Sequence, residues 1–182
     1  MNKKIPIDPL TNMPMKQFKP LTFTLPKPKA IIVDIDSTLA NNDHRQHLLD
    51  EIYSEEENDL AAKDVWEKFH EGIIDDGLNI WCHKIIKAYI KDHHIILSTG
   101  RGEDNREASL KWLWKHNVEF GRLLMRDYAD FGTDQILPKK KHLINIMQHY
   151  EVVLAIDDDR EVCALYHSYD IPTLNVMTSK NH

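Results

Sequence analysis

From residue 29 onward, short apolar runs alternate with stretches of helical character. The runs are KAIIVDI (29–35), HIILST (94–99), RLLMR (122–126), VVLAID (152–157) and PTLNV (172–176). Between them lie NIWCHKIIKAYIK (79–91), NREASLKWLWKHN (105–117), PKKKHLINIMQHY (138–150) and REVCALYHSY (160–169). Strand–helix alternation at this spacing predicts βαβ units and a parallel sheet. Residues 31–33 and 95–97 lack polar alternation, as strands covered on both faces do. The fold class is therefore α/β, a central parallel sheet flanked by helices.

One segment breaks the rhythm. Residues 41–78 contain HLLDEIYSEEENDLAAKDVWEKFHEG and read as two or three short helices without a strand. An insertion directly after the first strand predicts a small helical cap over the sheet's carboxyl edge, where open α/β sheets bind ligands. Ahead of the sheet, residues 1–29 hold six of the eight prolines, with six lysines and one aspartate. They predict an extended Pro/Lys-rich N-terminal arm, and residues 30–182 the domain proper. The formal charge is −6 for the chain and about −11 for residues 30–182. That balance disfavours a broad nucleic-acid surface but is compatible with a single strand end. Cys82 and Cys163 lack metal-ligand spacing and read as reduced core thiols. No apolar run of about 18 residues exists to span a membrane. Lys3 and Lys4 have no apolar stretch behind them, so no secretory signal is read. The cytoplasm is the expected compartment, and the oligomeric state is open.

The chemistry sits at the strand ends. Asp34 and Asp36 close the first run, and STGR (98–101) closes the second. PKKK (138–141) opens a helix with Pro138 in its first turn, and DDDR (157–160) closes the fourth run. Strands of a parallel sheet end on one edge, so Asp34, Asp36, Thr99, Arg101, Asp157 and Asp158 should converge. Carboxylates this close repel, and some must stay protonated unless a cation joins them. Mg²⁺ favours such oxygen ligands. Arg101 and a lysine from 139–141 would then hold an anion against the metal. Carboxylates, metal, Lys, Arg and hydroxyl together suit phosphoryl transfer, with an aspartate as nucleophile and a second carboxyl moving the proton.

DIDST (34–38) resembles the DxDxT motif of the haloacid dehalogenase (HAD) superfamily of phosphotransferases. STGR, the lysine cluster and DDD resemble its other three motifs, in order, over residues 30–176. More narrowly the chain resembles the 3′-phosphatase domain of phage-type polynucleotide kinase–phosphatase. The match includes Arg45, eleven residues after Asp34, and the LAIDDD block. No GxxxxGK[ST] kinase loop occurs in this chain. The resemblance implies a Rossmann-like HAD fold. It implies Asp34 as nucleophile and Asp36 as general acid/base and carbonyl ligand to Mg²⁺. Asp157 and Asp158 join Asp34 and Asp36 as metal-binding residues, and Thr99, Arg101 and Arg45 bind substrate phosphate. For the third-motif lysine, Lys139 and Lys140 both fit, with Lys139 preferred. Where the family commonly has glycine, Ser37 stands, and a positive φ there would strain it.

Three readings of function follow. The first is a Mg²⁺-dependent phosphatase acting on a phosphorylated nucleic-acid end, most like a polynucleotide 3′-phosphatase. The second is the same chemistry on free nucleoside monophosphates, as in the 5′(3′)-deoxyribonucleotidases, which the acidic body favours. The third is a catalytically silent HAD-fold binding module, against which the intact acidic and basic residues argue. Asp159 reads as a helix N-terminal acid. The eleven histidines complete no zinc set. Trp66 and Phe69, in the cap, are candidates for packing or for stacking on a nucleobase.

Overall fold

Side chains along the first strand point alternately to two faces, and both faces are covered. In the computed structural model, which describes residues 25–48, 59–130, 133–134 and 136–176, β1 runs over Lys29–Val33. Ile31 and Val33 pack on one side with Ile86, Trp112 and Leu113. Ala30 and Ile32 pack on the other with Leu143, Ile146 and Tyr166. Two cores on one strand explain the unbroken apolar run, since neither face tolerates a polar residue.

The elements in chain order are β1, β2 (Ala40–Asn41), α1 (Asp59–Glu71), β3 (Gly77–Leu78), α2 (Ile80–Tyr89), β4 (His94–Gly102), α3 (Arg106–Lys115), β5 (Arg122–Arg126), α4 (Ile136–His149), β6 (Glu151–Asp157), α5 (Arg160–His167) and β7 (Thr173–Asn175). Five strands form a parallel sheet in the order β5-β4-β1-β6-β7. The chain leaves β1 towards β4 and β5, then returns to β6 on its other flank. The switch point of this doubly wound sheet therefore lies at the end of β1. Register completes the placement: Val33 pairs with both Leu97 and Ile156, so Asp34, Ser98 and Asp157 lie at one level across the sheet.

The insertion departs from expectation in one respect. It does contain strand: Ala40 pairs with Leu78 and Asn41 with Gly77 in an antiparallel β2–β3 ladder that ties its two ends together. Two-residue strands carry no periodicity, which is why the sequence reads only helices there. Short 3₁₀ turns at Asp43–Arg45 and Gly72–Asp75 flank α1. Residues 49–58 of the expected cap lie outside the described residues, as do residues 1–24 of the expected arm. Of that arm, Pro28 continues the β1–β6 pairing by one bond, its carbonyl accepting the Glu151 N–H at 3.0 Å. Both cysteines are buried and unpaired. Among the described residues no helix is long and apolar enough to cross a membrane.

Between β1 and β2 the chain turns tightly on one carbonyl. The N–H groups of Thr38, Leu39 and Ala40 converge on the Ile35 oxygen at 3.3, 2.9 and 2.7 Å. Ser37 takes φ 59° in this turn, the positive value that the family glycine suggests. A left-handed non-glycine residue costs roughly 1–2 kcal/mol. The Ser37 hydroxyl donates to Asn42 Oδ1 at 3.0 Å, worth about 0.5–1.5 kcal/mol. Glycine also loses about 0.5–1 kcal/mol more backbone entropy. The effects nearly cancel, so Ser37→Gly is expected to change stability by less than about 1 kcal/mol. Ser37→Val, branched at Cβ and without the hydroxyl, should lose roughly 2 kcal/mol or more. Urea midpoints of the two variants check both figures.

Candidate active site

Lys139 joins the ends of β1 and β6 to the middle of β4. It belongs to the buried stripe of α4 with Leu143 and Ile146, at i, i+4 and i+7. Its ammonium donates to Asp34 Oδ1 at 2.5 Å, Asp157 Oδ2 at 2.8 Å and the Ser98 carbonyl at 2.8 Å. Burial works against the Lys139 charge, but Asp157 and Asp34 outweigh it and hold its pKa well above the ordinary value. Lys140, one position on, is exposed. The structure thus places Lys139, the preferred of the two lysines, against these acids. The sequence alone does not separate the two: Lys139 lies i−4 from Leu143 and i−7 from Ile146, while Lys140 lies i−3, i−4 and i−7 from Leu143, Ile144 and Met147. Asp134, the acid ahead of the lysine, accepts the Leu137 N–H at 2.8 Å and stabilises the start of α4.

Asp34, Asp157 and Asp158 bring carboxylate oxygens within 4.8 Å of one another. Burial raises the Asp34 carboxyl well above its ordinary range; Lys139 opposes that, and Asp157 and Asp158 add to it. Burial and Asp157 likewise push Asp158 up to about 6. The trio is therefore short of positive charge, and all of its ligand atoms are oxygens. That fits a hard divalent cation. Thr38, the last residue of DIDST, donates to Asp158 Oδ1 at 3.4 Å and ties the first strand's turn to this acid. Asp159 is the N-cap of α5, accepting the Glu161 and Val162 N–H groups at 2.7 and 3.0 Å, as its sequence position suggests.

A second charge cluster lies under the insertion. Arg101 grips Asp36 with two parallel bonds, Nε and Nη2 each at 2.7 Å, and Arg45 Nη2 adds a third at 2.7 Å. Burial alone would raise the Asp36 carboxyl, but Arg101 and then Arg45 hold it far below the usual range. The two arginines share another acid, Asp76. Arg45 binds it through Nε and Nη2 at 2.7 Å each, and Arg101 Nη2 reaches it at 2.9 Å. Asp76 also receives His44 at 3.1 Å, and its carbonyl accepts the indole N–H of the fully buried Trp112 at 2.7 Å. Gly72 leaves the space that Arg45 crosses, since a Cβ there would lie 2.9 Å from Arg45 Cδ. Thr99 is fully buried; its hydroxyl accepts the Arg101 backbone N–H at 3.1 Å and braces the segment that carries the guanidinium.

Asp34, Asp36, Asp157, Asp158, Arg45, Arg101 and Lys139 thus meet in two adjoining clusters, with Thr99 behind them. Asp76 is what sequence reading missed. In GIIDDGLN it looks like one of two turn acids, and only folding places it 31 residues back against Arg45 and 25 ahead against Arg101.

The carboxylate trio, buried lysine and doubled arginine stand together at the switch point of an α/β sheet, the set of groups that phosphoryl-transfer enzymes call for. The family model for the polynucleotide kinase PNKP phosphatase domain matches residues 28–180. The chain belongs to that family and is a phosphatase of the haloacid dehalogenase type. Among solved structures, the Pnkp1/Rnl/Hen1 complex contains a chain 23% identical with TM-score 0.64, and the match covers 90% of this chain and 51% of that one. A second structure, of the Pnkp1/Rnl/Hen1 RNA repair complex, gives 24% identity and TM-score 0.63, covering 90% and 48%. A haloacid dehalogenase-like hydrolase from Streptococcus pneumoniae gives 13% identity and TM-score 0.60, covering 80% and 83%. These likenesses are of fold. The chain spans about half the length of the Pnkp1 chains it matches.

Two measurements check the clusters. Asp76→Ala leaves two buried guanidiniums to share Asp36 alone and should lower unfolding free energy by about 3 kcal/mol. Asp75→Ala, on the exposed neighbour, should move it by less than about 0.5 kcal/mol. The second concerns pH. Asp34 and Asp158 bind protons more tightly folded than unfolded, so they stabilise the metal-free fold below the ordinary aspartate range. That contribution is lost as pH rises through about 6, the Asp158 value. Millimolar divalent cation is expected to raise Tm at pH 7 and hardly at pH 4. Asp158→Asn should flatten both dependences in a thermal scan series.

Proposed function

We propose that this chain removes the terminal phosphate from a nucleic-acid end, a 3′-phosphate above all, with Mg²⁺ and through covalent attachment to Asp34. The observation that carries the reading is the pairing of a lysine-braced carboxylate trio with a two-arginine clamp on Asp36. Support for the substrate comes from the family match over residues 28–180. Asp34, Asp157 and Asp158, with the Asp36 carbonyl, would hold Mg²⁺. When bound, the ion supplies the positive charge that lets an anionic carboxylate meet an anionic phosphate.

Lys139 keeps the Asp34 oxygen aimed, since its other two bonds are anchored on Asp157 and Ser98. Asp34 attacks phosphorus as the bond to the sugar oxygen breaks, and Asp36 gives that oxygen its proton. Asp36 then takes a proton from the water that cleaves the acyl-phosphate, freeing Asp34 and inorganic phosphate. The clamp makes this proton traffic conditional. With both arginines on Asp36, its carboxyl stays ionised. An incoming phosphate competes for the same guanidiniums, and as they turn to it Asp36 regains proton affinity. Asp76 keeps both arginines in place during the exchange.

Asp34→Ala should abolish phosphate release, a loss of at least about 10³-fold for a covalent nucleophile; full activity would refute the role. The substrate is tested by a release assay with Mg²⁺ and with EDTA, across 3′-phosphate ends, 5′-phosphate ends and free nucleotides. Preference for 3′-phosphorylated oligonucleotides, with kcat/KM falling as salt rises, supports the reading. Preference for free nucleoside monophosphates, which the acidic body favours, supports the nucleotidase reading instead.

A further inference from the structure

The two cap aromatics part company in the fold. Phe69 of α1 is buried, as is Ile73 in the 3₁₀ turn that follows. Trp66 and His70, at i and i+4, form the stripe beside Phe69. Phe69 is spent on packing: it is buried, and the Arg45 guanidinium lies 4.1 Å over its ring. Trp66 is not. It sets its edge contact on Phe69, with centroids 5.7 Å apart at 88°, and stacks on His70 at 5.5 Å and 29°. Even so it remains 37% exposed.

These planes form one continuous array from the clamp outwards: the Arg45 guanidinium, Phe69, then Trp66 with His70 beside it. The inner end touches Asp36. His70 also meets the edge of Phe69, with centroids 5.8 Å apart at 65°. Burial lowers its pKa and favours the neutral ring. The outer end is an indole with free surface, braced from behind by a flat uncharged partner.

We propose that Trp66, backed by His70, is a stacking platform for the nucleobase of the nucleotide whose phosphate the clamp holds. The proposal rests on the reading of the substrate as a nucleic-acid or nucleotide phosphate and names what recognises the leaving group. A phosphate at Arg45 and Arg101 carries its own sugar and base away from the buried carboxylates, towards the rim where Trp66 stands. Stacking tolerates any base, because every base offers a π-face. It also adds affinity without the basic surface that this acidic body lacks.

The test compares two 3′-phosphorylated oligonucleotides, one ending in a normal nucleotide and one in a stable tetrahydrofuran abasic residue. The readout is the ratio of their kcat/KM values. Base–aromatic stacking predicts a wild-type ratio of roughly 5 to 150, carried mainly by KM. Trp66→Ala and Trp66→Leu should bring the ratio close to one, and Trp66→Phe should keep most of it. The leucine variant retains apolar volume without a π-face, so it separates stacking from packing. A ratio near one in the wild type, or one unchanged in the leucine and alanine variants, overturns the platform and leaves the phosphatase reading standing. If the wild type cleaves only free nucleotides, the ratio is taken between a nucleoside monophosphate and its base-free sugar phosphate, with the same expectations. Release from base-free phosphomonoesters alone, with no nucleic-acid or nucleotide turnover, overturns both.

Discussion

A single ammonium group stands between two carboxylates that belong to different strands. Lys139 reaches from α4 to Asp34 and Asp157, and its third bond holds the Ser98 carbonyl midway along β4. Three parallel strands are thereby tied at one level by one side chain from outside the sheet. Without that charge, the buried acids at the ends of β1 and β6 would face each other with burial and repulsion acting together. The pair of cores above and below β1 positions the strand; the lysine makes its acidic end tolerable.

The second cluster solves the same problem differently. Asp36 and Asp76 are both answered by arginines, whose flat guanidiniums serve two carboxylates each. Buried networks of this kind lose stability sharply when one member goes, because each remaining charge is already desolvated. The sharing also divides the site by role. Asp34 sits in surroundings that resist its ionisation, and Asp36 in surroundings that enforce it. Two acids one residue apart are pushed in opposite directions, a pattern that marks acids given different tasks.

Much of this was legible before folding. The apolar runs at β1 and β4 fix both strand position and two-sided burial, and parallel register then carries Asp34 and Asp157 to one level without further assumption. Arg45 and Arg101 were legible because they stand at fixed distances from recognisable motifs. What could not be read has a common physical cause. Asp76 acts through neighbours brought together from three distant segments, and nothing in its local sequence distinguishes it from Asp75. The β2–β3 ladder is too short to show a period. Lys139 and Lys140 each open an apolar helical stripe, one through Leu143 and Ile146 and the other through Leu143, Ile144 and Met147, so only packing on the sheet separates them.

The β2–β3 ladder has a consequence beyond its few hydrogen bonds. It closes the neck of the insertion, so the chain leaves and rejoins the sheet at nearly the same point. Whatever lies between can change length or sequence with little strain on the sheet, because loop closure depends only weakly on loop length. Arg45 and Asp76 both lie within that loop, near its opposite ends. A lineage exchanging this segment as a cassette would move the cationic half of its grip together with the acid that balances it. The substrate-facing module would arrive electrically self-contained, and the older sheet would need to supply only Arg101 to complete it.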